Sequence, residues 1–330
     1  MTQTFKMHKK TQLPRERAEW MLRMLFMIRL FEERMLEFLN TGVIKGGSHL
    51  YIGQEAVATG VCAALRPDDY ITSTHRGHGH GLAKGGEPRL LMAEILGRAT
   101  GVCRGRGGSL HLADMNTGNL GANGIVGGSM GIACGAALSA KMRKSGQIAA
   151  CFFGDGAVNT GIFHESLNMA KVWELPVLFV CENNLYGMSV SVNRATGLED
   201  LATRADGYGM RKAIVDGQDV VAVYEATRTY GEIARKGGGP TFIECKTYRY
   251  GGHSRSDARK YRTRDEERKW RERDPIEAFV RYVNEQDLLD AAAVEAIRAE
   301  VAATIEDAAQ FALSSPDADP KDLYDALFAE

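Results

Sequence analysis

Gly154-Asp155-Gly156 closes the apolar run IAACFFG (148–154), and Asn184 follows 29 positions after Asp155, just beyond a second apolar run, VLFVCE (177–182). Aspartate and asparagine offer hard oxygen donors, the ligands that Mg²⁺ takes when it also carries phosphate. Glycines on either side of Asp155 let backbone N–H groups approach a diphosphate at a helix N-terminus, where the helix dipole adds attraction. Alone, Gly-Asp-Gly is an ordinary strand-to-helix turn and Asn183-Asn184 another. Their placement after consecutive strands changes the reading, because adjacent parallel strands bring their C-terminal ends side by side and aim Asp155 and Asn184 at one point.

A second chemistry is suggested by residues 246–273, where eleven Lys and Arg stand against five acids, with Tyr248, Tyr250, Tyr261 and Trp270 between them. Basic and aromatic residues interleaved in this way could dock nucleic acid or an acidic protein without catalysis. A net charge of -1 over 330 residues supplies no global attraction to either, so such docking would have to be local. His78 and His80 raise the idea of a metal, but two histidines with no cysteine or further ligand nearby make a poor zinc site.

Several elements must position these residues. Trp20, Met24, Met27, Ile28 and Phe31 recur at helical spacing within 14–40, and further helices are expected at 53–65, 88–99 and 125–143. From 148 the pattern becomes strand 148–154, helix 159–173 with Phe163, Leu167, Ala170 and Trp173 inward, and strand 177–182, a βαβ unit. AIVD (213–216), a helix over 219–236 and TFIEC (241–245) repeat it. A mainly parallel sheet with helices on both faces follows, with ligands at the strand C-termini. Residues 246–273 read as a long, partly mobile loop, and 291–313 as an amphipathic packing helix with Val294, Ile297, Val301, Ile305 and Ala308 on one stripe. The expected organisation is a helical extension over 1–45, an α/β domain over 46–290 and a C-terminal helical segment over 291–330.

The composition agrees with an ordinary globular enzyme. Six cysteines are scattered without a C-x-x-C pair and read as reduced thiols. Lys6, Lys9 and Lys10 precede no apolar stretch, and no run approaches 18 apolar residues, so a cytoplasmic, soluble protein is expected. The 37 glycines exceed the usual ~7% and cluster around 101–108, 118–135 and 154–161, where backbone approaches something closely.

GDGAVNTGIFHESLNMAKVWELPVLFVCENNLYGMS resembles the thiamine diphosphate motif in alpha subunits of pyruvate, branched-chain 2-oxo acid and acetoin dehydrogenases. HLYIGQEA (49–56), STHRGHGHGLAKG (73–85), GVCRGRGGSLHLAD (101–114), GANGIVGG (121–128) and YRYGGHSRSDARKYRTRDE (248–266) have counterparts there in the same order, so the resemblance covers nearly the whole chain. It implies the thiamine diphosphate-binding fold. Asp155, Asn184 and the carbonyl of Tyr186 would ligate Mg²⁺, and Gly154 and Gly156 would lie against the diphosphate. Arg76, beside His75, would contact diphosphate oxygens, and Gly124 and Val126 would meet the aminopyrimidine ring through their backbone. His253 is the first catalytic candidate and a further cofactor contact, His49 the second, His111 the third. Each titrates near neutrality and can serve a carboxylate or alkoxide. One departure is His75, where eukaryotic pyruvate enzymes carry tyrosine.

The same resemblance implies a heterotetramer of two alpha and two beta chains, with a glutamate acting on the aminopyrimidine supplied by the beta subunit, and acyl transfer to a lipoyl arm on an acyltransferase core. No nucleic-acid or membrane partner is expected. A transketolase-like carboligase shares the cofactor motif, but the chain is short of a second cofactor-binding half. HRGHGHGLAKG (75–85) looks closest to acetoin-type subunits, whereas YRYGGHSRSD (248–257) is similar to the pyruvate enzymes. Because a 2-oxo acid brings a carboxylate that needs cationic or hydrogen-bonding company, pyruvate is expected first, acetoin a close second and branched 2-oxo acids third.

Overall fold

Consecutive apolar residues in two strands set the centre of the molecule. The computed structural model describes residues 3–5, 13–44 and 46–324; Lys6, Lys9 and Lys10 lie outside the described residues. The strands are β1 (Gln3–Phe5), β2 (Tyr70–Thr72), β3 (Ala149–Gly154), β4 (Val177–Asn183), β5 (Tyr186–Gly187), β6 (Val190–Ser191), β7 (Arg211–Asp216) and β8 (Thr241–Lys246). The helices are α1 (Arg15–Asn40), α2 (Glu55–Ala64), α3 (His78–Ala83), α4 (Pro88–Ile95), α5 (Gly128–Arg143), α6 (Gly161–Val172), α7 (Val192–Ala195), α8 (Val220–Ile233), α9 (Arg264–Arg271), α10 (Pro275–Glu285) and α11 (Ala291–Ser314).

Six strands form one parallel sheet in the order β1-β7-β8-β4-β3-β2, and β5 and β6 make a small antiparallel hairpin. Side chains alternate between two cores, as a strand period of two requires. Ala150, Phe152, Leu178, Val180, Ile243 and Cys245 pack with α1, α2, α8 and α11, while Cys151, Phe153, Val177, Phe179, Cys181 and Phe242 pack with α5 and α6. Burial on both faces explains why β3 and β4 read as unbroken apolar runs. Each fully buried phenylalanine contributes roughly 1.5–3 kcal/mol relative to exposure. In register, Gly154 lies opposite Glu182 and Asn183 opposite Lys246, so the C-terminal ends of β3, β4 and β8 finish level.

The expected α/β fold is therefore observed, with local corrections. The buried stripe of α1 runs through Met21, Leu25, Ile28, Phe31, Met35 and Phe38, while Trp20, Met24 and Met27 are half-buried. α1 packs against α2, α3, α10 and α11, and a helix with neighbours on several sides buries a wider face than one stripe predicts. Trp173, expected inward, is the C-cap of α6 and is exposed. Residues 246–273 are not one loop: Thr263 caps α9 by accepting a hydrogen bond from the Glu266 N–H, with acids in the first turn and bases in the last. The aromatics of this stretch face inward. Tyr248 and Tyr250 are buried, and Tyr248 stacks on Trp270 at 5.2 Å between ring centroids, which removes them as a platform for bases. Residues 3–5 add an edge strand beside β7 to the helical N-terminal region. α11 packs on α1 and α4 and shares the sheet's core. Among the described residues, no helix is long and apolar enough to cross a membrane.

Candidate active site

A cavity of about 290 Å³ opens at the C-terminal ends of β3 and β4, where the parallel register brings Asp155 and Asn184 together on its wall. Asp155 is 4% exposed, and burial pushes its carboxyl up to about 6, although backbone N–H groups of Asp155 and Asn184 donate to it. The charges of Arg249 and Arg76 offset the cost of burial only in part, and a bound divalent cation in direct contact would offset the rest. Asn184 Nδ2 donates to Gln54 Oε1 at 3.1 Å, and the Tyr186 N–H donates to Asn184 Oδ1 at 3.3 Å. The Gln54 Nε2 amide has no protein partner although it is buried beside the cavity.

Backbone conformation is unusual here. Leu185 and Met188 have φ of 73° and 53°, a region that side chains other than glycine seldom enter. These two residues bracket Tyr186 and Gly187, and strain of this kind accumulates where backbone must be presented in a fixed way. A Cβ on Gly154 would meet nothing within 4 Å, whereas one on Gly156 would sit 3.5 Å from Gly187 Cα. Gly154 thus leaves space for a ligand, and Gly156 packs at ordinary contact distance from the hairpin.

Opposite lies a face of histidine and arginine. The rings of His49, His75 and His253 sit with centroids 4.8 to 5.6 Å apart. Burial, reinforced by Arg76, lowers His49 and His253 to about 4 and His75 to about 3, so all three are neutral at pH 7. Arg76 is buried, which pulls it down to about 9, still cationic at neutral pH. It donates to the carbonyls of Leu50 and His253, each at 2.8 Å, and to His253 Nδ1 at 3.2 Å. A guanidinium can only donate, so Nδ1 accepts and the proton of neutral His253 sits on Nε2. His253 itself is held by Asp257, whose Oδ2 accepts from the His253 N–H at 2.6 Å and from the Tyr261 hydroxyl at 2.5 Å.

Arg249, which the basic run of 246–273 disguised as a surface residue, is 2% exposed and lines the cavity. It donates to the Met188 carbonyl at 3.1 Å and to the Tyr261 hydroxyl at 2.9 Å. Two buried guanidiniums bonded to neutral groups fit an anion. One nitrogen from each of His49, His75 and His253 lies within 4.8 Å of the others, a spacing that invites a metal, but Arg76 and Arg249 make the face repel cations.

Not every predicted residue lines the cavity. His75, Arg76, Val126, Gly154, Asp155, Gly156, Asn184, Tyr186 and His253 do. His49 stands behind, edge-on to His75 and His253, and Gly124 is flanked by the lining residues Asn123 and Ile125. His111 is exposed, and a Cβ on Gly124 would lie 3.4 Å from its ring. His78 and His80 point to different partners, Glu32 and Glu182. Gln54, Glu182 and Arg249 were missed. For Glu182 a signal existed: it is the residue level with Gly154 across the β3-β4 ladder. Its Oε1 accepts from the Tyr51 hydroxyl and lies 3.1 Å from His80 Nε2.

Comparison with known proteins supplies the family. The model of the dehydrogenase E1 component matches residues 22–321. The chain is 49% identical over 305 residues to the alpha subunit of acetoin:2,6-dichlorophenolindophenol oxidoreductase of Bacillus subtilis, covering 92% of this chain and 91% of that protein. It is 45% identical over 302 residues to the like-named subunit of Cupriavidus necator, covering 91% of each. It is 42% identical over 315 residues to the pyruvate dehydrogenase E1 component subunit alpha of Zymomonas mobilis, covering 94% of this chain and 87% of that one. With its parallel sheet and the Asp155–Asn184 cavity in the matched region, the chain belongs to the dehydrogenase E1 component family, oxidoreductases that use thiamine diphosphate.

Proposed function

We propose that the chain is the alpha subunit of an alpha-beta dehydrogenase that holds thiamine diphosphate through Mg²⁺ and cleaves the bond beside the carbonyl of acetoin or a small 2-oxo acid. The acyl fragment passes to a lipoyl arm on an acyltransferase core. The observation that carries the reading is the buried Asp155 beside Asn184, with no ion pair in direct contact among the described residues, facing the two guanidiniums of Arg76 and Arg249 across one cavity. One wall suits a cation and the other an anion, as a metal diphosphate demands.

Asp155, Asn184 and the Tyr186 carbonyl would hold Mg²⁺. The Gly154 and Gly156 backbone, His75, Arg76 and Arg249 would hold the diphosphate, and the backbone about Gly124 and Val126 the aminopyrimidine. The cofactor, when bound, supplies a nucleophilic carbon and an electron sink. His253 offers Nε2–H to the reacting oxygen or the incoming lipoyl sulfur, and His49 steadies it from behind.

The relatives move acetoin ahead of the pyruvate expected from sequence, since the two more similar ones cited are named for acetoin oxidation. Pyruvate remains the second reading, because the histidine-arginine face can compensate a substrate carboxylate. Dye reduction by the reconstituted alpha-beta enzyme, measured with acetoin, pyruvate and 2-oxoisovalerate, decides. We expect kcat/KM for acetoin to exceed that for pyruvate about tenfold, a transition-state preference of about 1.4 kcal/mol. A preference for pyruvate of that size would reverse the order, and turnover of none of the three would defeat the reading.

A further inference from the structure

Four buried polar side chains that the proposed reaction does not use form one hydrogen-bonded line. Glu32, on α1, places Oε1 3.0 Å from His78 Nδ1. His78 Nε2 lies 2.8 Å from Ser109 Oγ, and Ser109 donates to Ser48 Oγ at 2.9 Å. Exposure runs from 0% for Glu32 and His78 to 7% for Ser109, so water cannot replace a broken link.

His78 and Ser109 are each held from two sides, the ring by Glu32 and Ser109 and the hydroxyl by His78 and Ser48. Glu32 Oε2 has no hydrogen-bond partner, so Oε1 is the oxygen through which the side chain is fixed.

The ends of the line are what give it meaning. Ser48 immediately precedes His49, and His78 follows His75 and Arg76 by three and two residues. The same two segments are crossed by the bond from Arg76 Nη1 to the Leu50 carbonyl. Glu32 is also among the acids whose charge favours the guanidinium of Arg76 against the cost of its burial. A rigid helix at one end thus grips both segments that carry the histidine-arginine face.

We propose that Glu32 is a positioning residue: through His78, Ser109 and Ser48 it fixes the segments bearing His49, His75 and Arg76, and so sets the geometry of the cavity wall that meets the reacting groups. The inference rests on the reading that this wall receives substrate and cofactor. Its test uses the assembled alpha-beta enzyme with Glu32→Gln, Ser109→Ala and the double variant. Ser109→Ala leaves the Glu32–His78 pair whole and keeps the test open if Glu32→Gln fails to fold.

Two readouts separate positioning from general stability. The first is the rate at which diethyl pyrocarbonate modifies His49, mapped by peptide mass and normalised to exposed His164 on α6. The second is the division between kcat and cofactor affinity. We expect His49 to be modified several-fold faster, and kcat to fall about 10- to 100-fold, the scale of a roughly 1 Å misplacement, with thiamine diphosphate affinity changed less than about threefold. The double variant should be no worse than the more impaired single one, since both act through one line. Unchanged His49 modification with wild-type kcat in folded Ser109→Ala, or effects that multiply in the double variant, would overturn the proposal. If the unmutated enzyme turns over neither acetoin nor pyruvate, the functional reading fails, and the His49 modification rates still decide the relay.

Discussion

Asp155 is a carboxylate placed where burial opposes its charge, and that opposition makes it a sensitive probe of the metal reading. Asp155→Ala should weaken thiamine diphosphate binding at limiting Mg²⁺ by about 10- to 100-fold or more, the scale of a lost interaction with a charged group, and Asn184→Ala by less. Calorimetry on the alpha-beta assembly checks this, and an unchanged affinity for Asp155→Ala would remove the metal assignment. The three histidines give a prediction about pH. Their folded values, about 3 to 4, lie below the ordinary 6.5, so the unfolded chain takes up protons that the folded one refuses. Stability from this source is complete above about pH 6.5 and is lost as pH falls through that value toward 4. The melting temperature should therefore drop between pH 7.5 and 5.5, and His49→Gln should flatten the slope. An equal slope in the variant would mean that other groups carry it. Asp155 and Asn184 were legible because residue type and strand spacing both pointed at them. Arg249 was not, since a buried arginine inside a basic run has no mark in one sequence.

α2 and α8 cross so closely that one residue decides their distance. A Cβ on Gly60 would lie 2.7 Å from Val223 Cβ and 2.8 Å from the Val220 carbonyl, contacts that backbone atoms cannot yield cheaply. Replacing Gly60 by alanine gains about 1 kcal/mol of helix propensity and costs about 1–3 kcal/mol of overpacking. Overpacking should win, lowering the melting temperature by about 1–3 °C, and Val223→Ala in the same chain should recover part of the loss. A melting temperature at or above wild type for Gly60→Ala would show that the two helices can part without cost. Most helices and central strands were legible because they carry a strong period or an unbroken apolar run. The failures share a cause in tertiary packing. α1 meets four helices, so the half-buried Trp20 and Met24 flank its buried face, and β2, with three residues, is too short to carry a pattern. α9 hid because its charge pattern, acids then bases, reads as solvated chain until Thr263 is seen to cap it.

At the scale of the whole molecule, the cavity lacks a component. The carboxylates among its described lining residues are Asp155 and Glu182, the first assigned to the metal in the proposed reading and the second engaged by Tyr51 and His80. Neither is free to exchange a proton with an aminopyrimidine ring, and the proposed alpha-beta reading assigns that exchange to an acid of the beta subunit. Surface chemistry at the mouth agrees, because Ile125, Val126 and Met188 line the cavity while 50% to 72% exposed. Exposed apolar side chains gathered at one mouth, rather than scattered, are a mark of a surface that meets a partner or ligand. We therefore expect the purified chain alone to reduce dye with neither acetoin nor pyruvate, and turnover to rise with added beta subunit until one beta is bound per alpha. Light scattering should register the assembly as the rate appears. Substantial turnover by a demonstrably beta-free preparation would mean that Glu182 leaves Tyr51 and His80 to serve as the missing acid, and Glu182→Gln would then abolish that activity.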